Sequence, residues 1–191
     1  MGFRSVVLGP TLETERLILR PPVAGDFDAF AAMMMDEAAT RFLGGAQPRA
    51  IAWRTFASLM GSWVILGFGV FSVLEKSSGC WVGRLGPIHP DGWPGDEIAY
   101  GLAREFWGRG YAQEGCVAAI DWACFELGWT DFIHSISPEN IASRALAKRL
   151  GAVNRGPGQL PAPYDDIPIE IWGQTRAEWI KQRRRFGSRT A

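Results

Sequence analysis

The stretch REFWGRGYAQEG, Arg104 to Gly115, sets two glycines one residue apart, Gly108 and Gly110, directly ahead of a long apolar segment. Upstream, DEIAYGLA (Asp96 to Ala103) alternates Ile98, Tyr100 and Leu102 against Glu97, Ala99 and Gly101, which is a strand pattern. Downstream, from Gly110 to Gly128, Val117, Ile120, Cys124 and Leu127 share one helical stripe, with Trp122 and Phe125 beside it. A helix apolar nearly all round belongs in the interior. The glycines therefore stand where a strand hands over to a buried helix. The first N–H groups of a helix are unpaired and lie at the positive end of its dipole. Glycine permits positive φ and lets a ligand approach the backbone. Together these make an anion cradle suited to phosphate. A plain strand–helix turn also uses glycine for geometry, and the spacing alone does not separate the two readings. The spacing is neither GxGxxG nor GxxxxGK[ST], so a P-loop nucleotide hydrolase is disfavoured.

Working outward, TDFIHSIS (Thr130 to Ser137) reads as the next strand, with Phe132, His134 and Ile136 on one face. A strand–helix–strand unit of this kind is a right-handed crossover, so the strands before and after the helix run parallel. PENIASRALAKRLG (Pro138 to Gly151) is a helix with a glycine just past its end. DIPIEIWG (Asp166 to Gly173) is a last strand. Toward the N-terminus, GVFSVLEK (Gly69 to Lys76) and CWVGRLGPI (Cys80 to Ile88) are strands joined by a hairpin signal. Before them come a helix over PRAIAWRTFASLMGSW (Pro48 to Trp63) and a helix after GDF with Asp26 as its N-cap. RLILRPP (Arg16 to Pro22) is a short strand ended by proline. The order is β–α–α–β–β–β–α–β–α–β–β, an α/β or α+β domain around a mixed sheet.

With 191 residues, the chain reads as one domain over 1–191, with 1–11 and 181–191 as terminal extensions. At 47% hydrophobic and 21% charged it has the composition of an ordinary globular protein. Twenty acidic residues balance twenty basic ones, so net charge points to neither nucleic acid nor membrane. The basic end KQRRRFGSRTA is read as a solvated tail. Cys80, Cys116 and Cys124 form no CxxC pair, and with only His89 and His134 no zinc spacing occurs, so no metal is expected. No apolar run approaches ~20 residues, and charge interrupts the first twenty, so the expected compartment is the cytoplasm.

EFWGRGYAQEG resembles the acyl-CoA loop of the GNAT acetyltransferase superfamily, Gln/Arg-x-x-Gly-x-Gly/Ala. Gly108 and Gly110 match, while Glu105 stands at the Gln/Arg position. The WGxGYA form is similar to the branch containing the ribosomal-protein N-terminal (alanine/serine) acetyltransferases. So are LETERLILRPP at the start, EIAYGLA before the loop, and PENIASRALAKRLGA after it. The resemblance covers roughly Leu12 to Trp172, with four motifs in the family's order. It implies a mixed, mostly antiparallel sheet with a splayed parallel strand pair and flanking helices. It also implies acetyl-CoA as cosubstrate, a pyrophosphate on the loop from Trp107, Gly108 and Arg109 through Gly110, Tyr111 and Ala112, and pantetheine pairing near Leu102 and Ala103. Asn140 and Ser143 would face the pantetheine arm, and Lys148 would meet phosphate; Asn140 also suits a helix cap, and capping and binding can coexist.

The implied reaction is attack of a neutral amine on a thioester, on a monomer or homodimer. An α-amine with pKa near ~8 is roughly one-tenth neutral at pH 7, whereas a lysine near ~10.4 is neutral only at a few parts in ten thousand. Glu97 is the candidate base, on the strand face shared with the small residues Ala99 and Gly101. The family's tyrosine general acid has Ala147 at its matching position, which leaves Ser143, a bound water, or no dedicated acid. Cys116 lies inside a helix, so direct transfer is favoured over a covalent intermediate. The acceptor would enter between Leu43–Pro48 and GPGQLPAPYDD (Gly156 to Asp166), and is a protein N-terminus or a small amine. The alternative is a non-catalytic acyl-CoA-binding regulator on the same fold.

Overall fold

Strand β1 (Leu12–Glu13) leads to β2 (Leu17–Arg20), α1 (Phe27–Met35), α2 (Glu37–Thr40) and α3 (Arg49–Leu66). Then follow β3 (Phe71–Glu75), β4 (Trp81–Ile88), β5 (Glu97–Leu102), α4 (Tyr111–Phe125) and β6 (Asp131–Ile136). The chain continues through α5 (Ile141–Leu150), β7 (Val153–Gly158), β8 (Ile169–Thr175) and α6 (Arg176–Arg183). The structure is a computed structural model and describes residues 8–187.

All eight strands belong to one sheet, ordered β1-β2-β3-β4-β5-β6-β8-β7. Neighbours are antiparallel except β5 and β6. The parallel pair is the crossover expected around the glycine turn. It shares a single ladder position, Glu97 with Ile133, where the Ile133 N–H donates to Asp96 O at 2.8 Å. The next donor to β5 is a side chain: His134 Nδ1 lies 2.8 Å from Ile98 O. No ladder pair follows, so the C-terminal ends of β5 and β6 diverge into a wedge.

Strand alternation assigns the two faces. Leu85 is paired with Tyr100, and a Cβ on Gly115 of α4 would come within 2.5 Å of Leu85 Cδ2, so α4 lies on the Leu85–Tyr100 face. Glu97, Ala99 and Gly101 look to the other side, toward α1 and the α2–α3 loop. The space beside Gly101 is already taken: a Cβ there would meet Leu43 Cδ1 at 2.9 Å.

Two expectations change. Asp26 does not cap α1 with its side chain. It is a buried anion held by Arg20 through two bonds of 2.7 Å, by the Ser72 hydroxyl at 2.7 Å and by the Val23 N–H at 2.9 Å. Lys181 to Arg183 are not solvated tail but the last turn of α6. Trp179 and Arg183 reach Asp121 of α4 at 2.9 and 2.7 Å, and Phe186 stacks on Trp179. The short α2 is capped at its start by Asp36, which accepts from the Ala38 and Ala39 N–H groups. Residues 1–7 and 188–191 of the expected extensions lie outside the described residues.

Candidate active site

Both glycines of the turn adopt positive φ, +74° at Gly108 and +81° at Gly110, so other residues would be strained there. A Cβ on Gly108 would meet nothing within 4 Å, leaving that amide approachable. The N–H groups of Gly108, Arg109, Gly110, Tyr111 and Ala112 have no hydrogen-bond acceptor among the described residues. Five donors thus converge at the start of α4, a buried helix of 15 residues. These features fit a diphosphate.

The loop is held from behind by a residue that sequence reasoning missed. Arg16 donates from Nη1 to Arg109 O at 3.0 Å and from Nε to Glu114 Oε2 at 2.7 Å. The Arg16 N–H and the Thr14 hydroxyl both donate to Glu114 Oε1, at 2.8 and 2.6 Å. Burial opposes ionisation of Glu114, yet these hydrogen bonds hold its carboxyl below the ordinary range. The Arg16 guanidinium also covers the Tyr111 ring, 4.6 Å from its centroid, and the Tyr111 hydroxyl donates to Glu75. Arg109 extends over Phe106 toward Glu75, at 3.6 Å. The TER segment is legible in sequence only as part of a family pattern; its physical task is to fix α4 and its loop onto β2.

At the wedge, β5 presents its backbone to two neighbours in turn. Ala103 is fully engaged within the protein, its N–H with Val82 O at 2.9 Å and its carbonyl with the Phe106 N–H at 3.0 Å. Leu102 O accepts from the Trp107 indole at 2.8 Å. By alternation, the Tyr100 backbone groups and the Leu102 N–H face the wedge. Trp107 itself is half-exposed beside it.

Glu97 is 6% exposed and stands at the last ladder position before the wedge opens. The Trp93 indole donates to its Oε2 at 2.7 Å. Burial raises its pKa above the ordinary carboxylate range, outweighing the opposing influence of Ser135, Trp93 and Arg84. His134 is also buried, and burial depresses its pKa to about 4. Facing a carbonyl, its Nδ1 carries the proton, and Nε2 has no hydrogen-bond partner among the described residues. Tyr100, its hydroxyl 3.3 Å from Ser143 O, has its pKa raised by burial.

On α5, Asn140 caps the helix, its Oδ1 accepting from the Ser143 N–H at 3.1 Å. Ser143 is thus held at its N–H by Asn140 and at its carbonyl by Tyr100. Ala147 is wholly buried, with no room for a tyrosine. Lys148 is exposed in the last turn, and it is the next residue, Arg149, that reaches α4, with Nε 3.2 Å from Gln113 Oε1. Burial raises the Cys116 thiol and takes Cys124 to about 12, so both are protonated near neutrality.

The two loops expected to frame an acceptor come together on the Glu97 face. A Cβ on Gly44 would meet Tyr164 Cε1 at 3.0 Å, and one on Gly92 would meet Pro161 Cβ at 3.4 Å. Arg84 of β4, another residue missed in sequence, lies on the same face opposite Gly101. A depression of about 340 Å³ at the β7–β8 edge, lined by Asn154, Pro157 and Glu170 among others, is away from Glu97 and the loop. Among the described residues no cluster of His, Cys, Asp and Glu is arranged to hold a metal, and no helix is long and apolar enough to cross a membrane.

Residues 16–153 match the family model described as an acetyltransferase (GNAT) domain. The chain is similar to the FsC-acetyl coenzyme A-N(2)-transacetylase of Aspergillus fumigatus, at 28% identity over 92% of this chain and 80% of that protein. Among solved structures, an acetyltransferase from Agrobacterium tumefaciens superposes with a TM-score of 0.78 at 30% identity, over 92% of this chain and 98% of that one. A ribosomal-protein-S5-alanine acetyltransferase from Vibrio fischeri shares the fold, with a TM-score of 0.66 at 17% identity over 89% and 98% of the two chains. The unpaired amides, the wedge beside them and the family match over 16–153 agree: this chain belongs to the GNAT acetyltransferases.

Proposed function

We propose that this protein N-acetylates a primary amine, a protein N-terminus or a small amine, by direct attack on acetyl-CoA. The observation that carries the reading is the single-position β5–β6 ladder, opening toward five unpaired loop amides with buried Glu97 at its closed end. When bound, acetyl-CoA supplies an acetyl thioester whose C–S bond breaks as the amine's N–C bond forms. Gly108 to Ala112 hold the diphosphate through their N–H groups, with Trp107 and Arg109 flanking it and Lys148 at the outer edge. Leu102 offers its N–H to the pantetheine; Ala103, with both backbone groups engaged, contributes surface only. Asn140 and Ser143 face the same arm.

Glu97 removes the amine's proton. Its raised pKa makes it a stronger base than an exposed glutamate, and the Trp93 hydrogen bond fixes its orientation. Ser143, positioned by Asn140 and Tyr100, supplies the proton the departing thiol needs. The protonated, buried cysteines support direct transfer over a covalent route. Protein incubated with acetyl-CoA and a panel of amines tests the reading, with thiol release followed and each product weighed. Acceptor-dependent thiol release with gain of one acetyl group is expected. Stabilisation by acetyl-CoA without turnover of any amine would point instead to a non-catalytic acyl-CoA-binding regulator.

A further inference from the structure

Arg84 sits mid-strand in β4, on the Glu97 face, under the loop that carries Tyr164. Its Nε is shut off from solvent and has no hydrogen-bond partner, and its guanidinium makes no hydrogen bond or ion pair among the described residues. Other shielded arginines of this protein are matched: Arg20 to Asp26, Arg183 to Asp121. Arg84 is half-buried: its Nε is enclosed while the ends of its fork keep solvent access, and burial lowers its pKa. Glu97 does not satisfy it, because no ion pair joins them; its carboxylate acts on Arg84 only through space.

An unmet guanidinium on the face covered by the Tyr164 and Leu43 loops has the chemistry to bind an acceptor anion. Arg84 is opposite Gly101, four residues from Glu97 on the same strand. Gly101 and Glu97 are about 13 Å apart between Cα positions, and the Glu97 carboxylate is close enough to act on the Arg84 guanidinium electrostatically. Two charges within electrostatic range of each other are both reached by one small zwitterion. A guanidinium fork pairs with a carboxylate through two parallel hydrogen bonds.

We infer that Arg84 anchors a carboxylate of the acceptor, so that the site takes amino-acid-like amines, with the amine at Glu97 and the carboxylate at Arg84. This rests on the amine-acetylation reading and adds the acceptor's class to it. The test compares an amino acid, its amide and the corresponding amine lacking the carboxyl group, with the wild type, Arg84→Gln and Arg84→Lys. The wild type should favour the amino acid in kcat/KM by roughly 10- to 100-fold, the range of a charge-assisted hydrogen-bond pair. Arg84→Gln should collapse that ratio, chiefly through KM for the amino acid, and Arg84→Lys should restore part of it. Thermal melts establish that each variant is folded. Calorimetry with the N-acetylated amino acid and its amide needs no turnover: the wild type should bind the anion more tightly, and Arg84→Gln should bind both alike. Equal use of all three acceptors by the wild type, or an unchanged ratio in Arg84→Gln, overturns the inference while leaving amine acetylation intact. Binding of the product anion through Arg84 with no amine turned over would instead sink the amine-acetylation reading and keep the carboxylate site.

Discussion

Glu97 is a carboxylate shut away from water at the closed end of the wedge, and in the proposed reaction it takes the amine's proton. Replacement by glutamine keeps shape and the Trp93 contact but removes the basic oxygen. Glu97→Gln should lower turnover by roughly 10²–10⁴-fold with little change in acetyl-CoA affinity. Because burial raises its pKa, the wild-type rate should fall as pH drops through that raised value, and this limb should vanish in the variant at a pH where the acceptor is neutral. Rate profiles of both proteins with one acceptor check this; equal rates there would make Glu97 structural. His134 carries a stability prediction. Its folded pKa of about 4 lies below the ordinary 6.5, so it stays neutral in the fold while the unfolded chain takes up a proton. Stability from this group is complete above pH ~6.5 and is lost as pH falls to about 4, by about 3 kcal/mol. Glu97 works in the opposite direction, so the comparison must be between variants. Urea midpoints of His134→Asn, which keeps a donor for Ile98 O, should fall less steeply across that window than those of the wild type. Glu97 was readable from strand alternation. Arg84 and His134 were not, because nothing in a strand pattern says that an arginine will lack a partner or that an imidazole will replace a ladder donor.

The strand–turn–helix unit makes its own demand on Gly110. A valine there must adopt φ near +81° and would place its Cβ 3.4 Å from Arg16 Nη2. Acetyl-CoA at a hundredfold excess over its dissociation constant should stabilise the wild type by about 2.7 kcal/mol. Gly110→Val should lose most of that shift, and its apo form should be about 1–2 kcal/mol less stable from backbone strain. Melting curves with and without acetyl-CoA measure both; an undiminished shift would put the phosphates elsewhere. The unit was legible because glycine pairs, helical stripes and strand alternation are local signals. Its support was not: Arg16 and Glu114 are 98 residues apart, and no local period marks that they meet. The same limit explains the acceptor loops, whose contacts between Gly44 and Tyr164 depend on how two irregular segments fold back.

Across the whole molecule, the C-terminal segment closes the α4 face of the sheet. Arg183 is charged and follows no apolar stripe, so its sequence reads as tail, yet its side chain is 14% exposed against a buried Asp121. Arg183→Ala leaves that carboxylate without its cation and should cost about 3 kcal/mol; a truly solvated tail would cost almost nothing. Chemical unfolding of the variant decides between them. The same closure fixes α4, and through it the loop and the wedge on which the assigned chemistry depends. That chemistry is tested most directly by weighing an amine acceptor after incubation with acetyl-CoA and the wild type, Glu97→Gln or Gly110→Val. The wild type should add one acetyl group. Glu97→Gln should fail in kcat and Gly110→Val in the KM for acetyl-CoA. Equal product from all three proteins, or none from the wild type with any amine, would contradict the account.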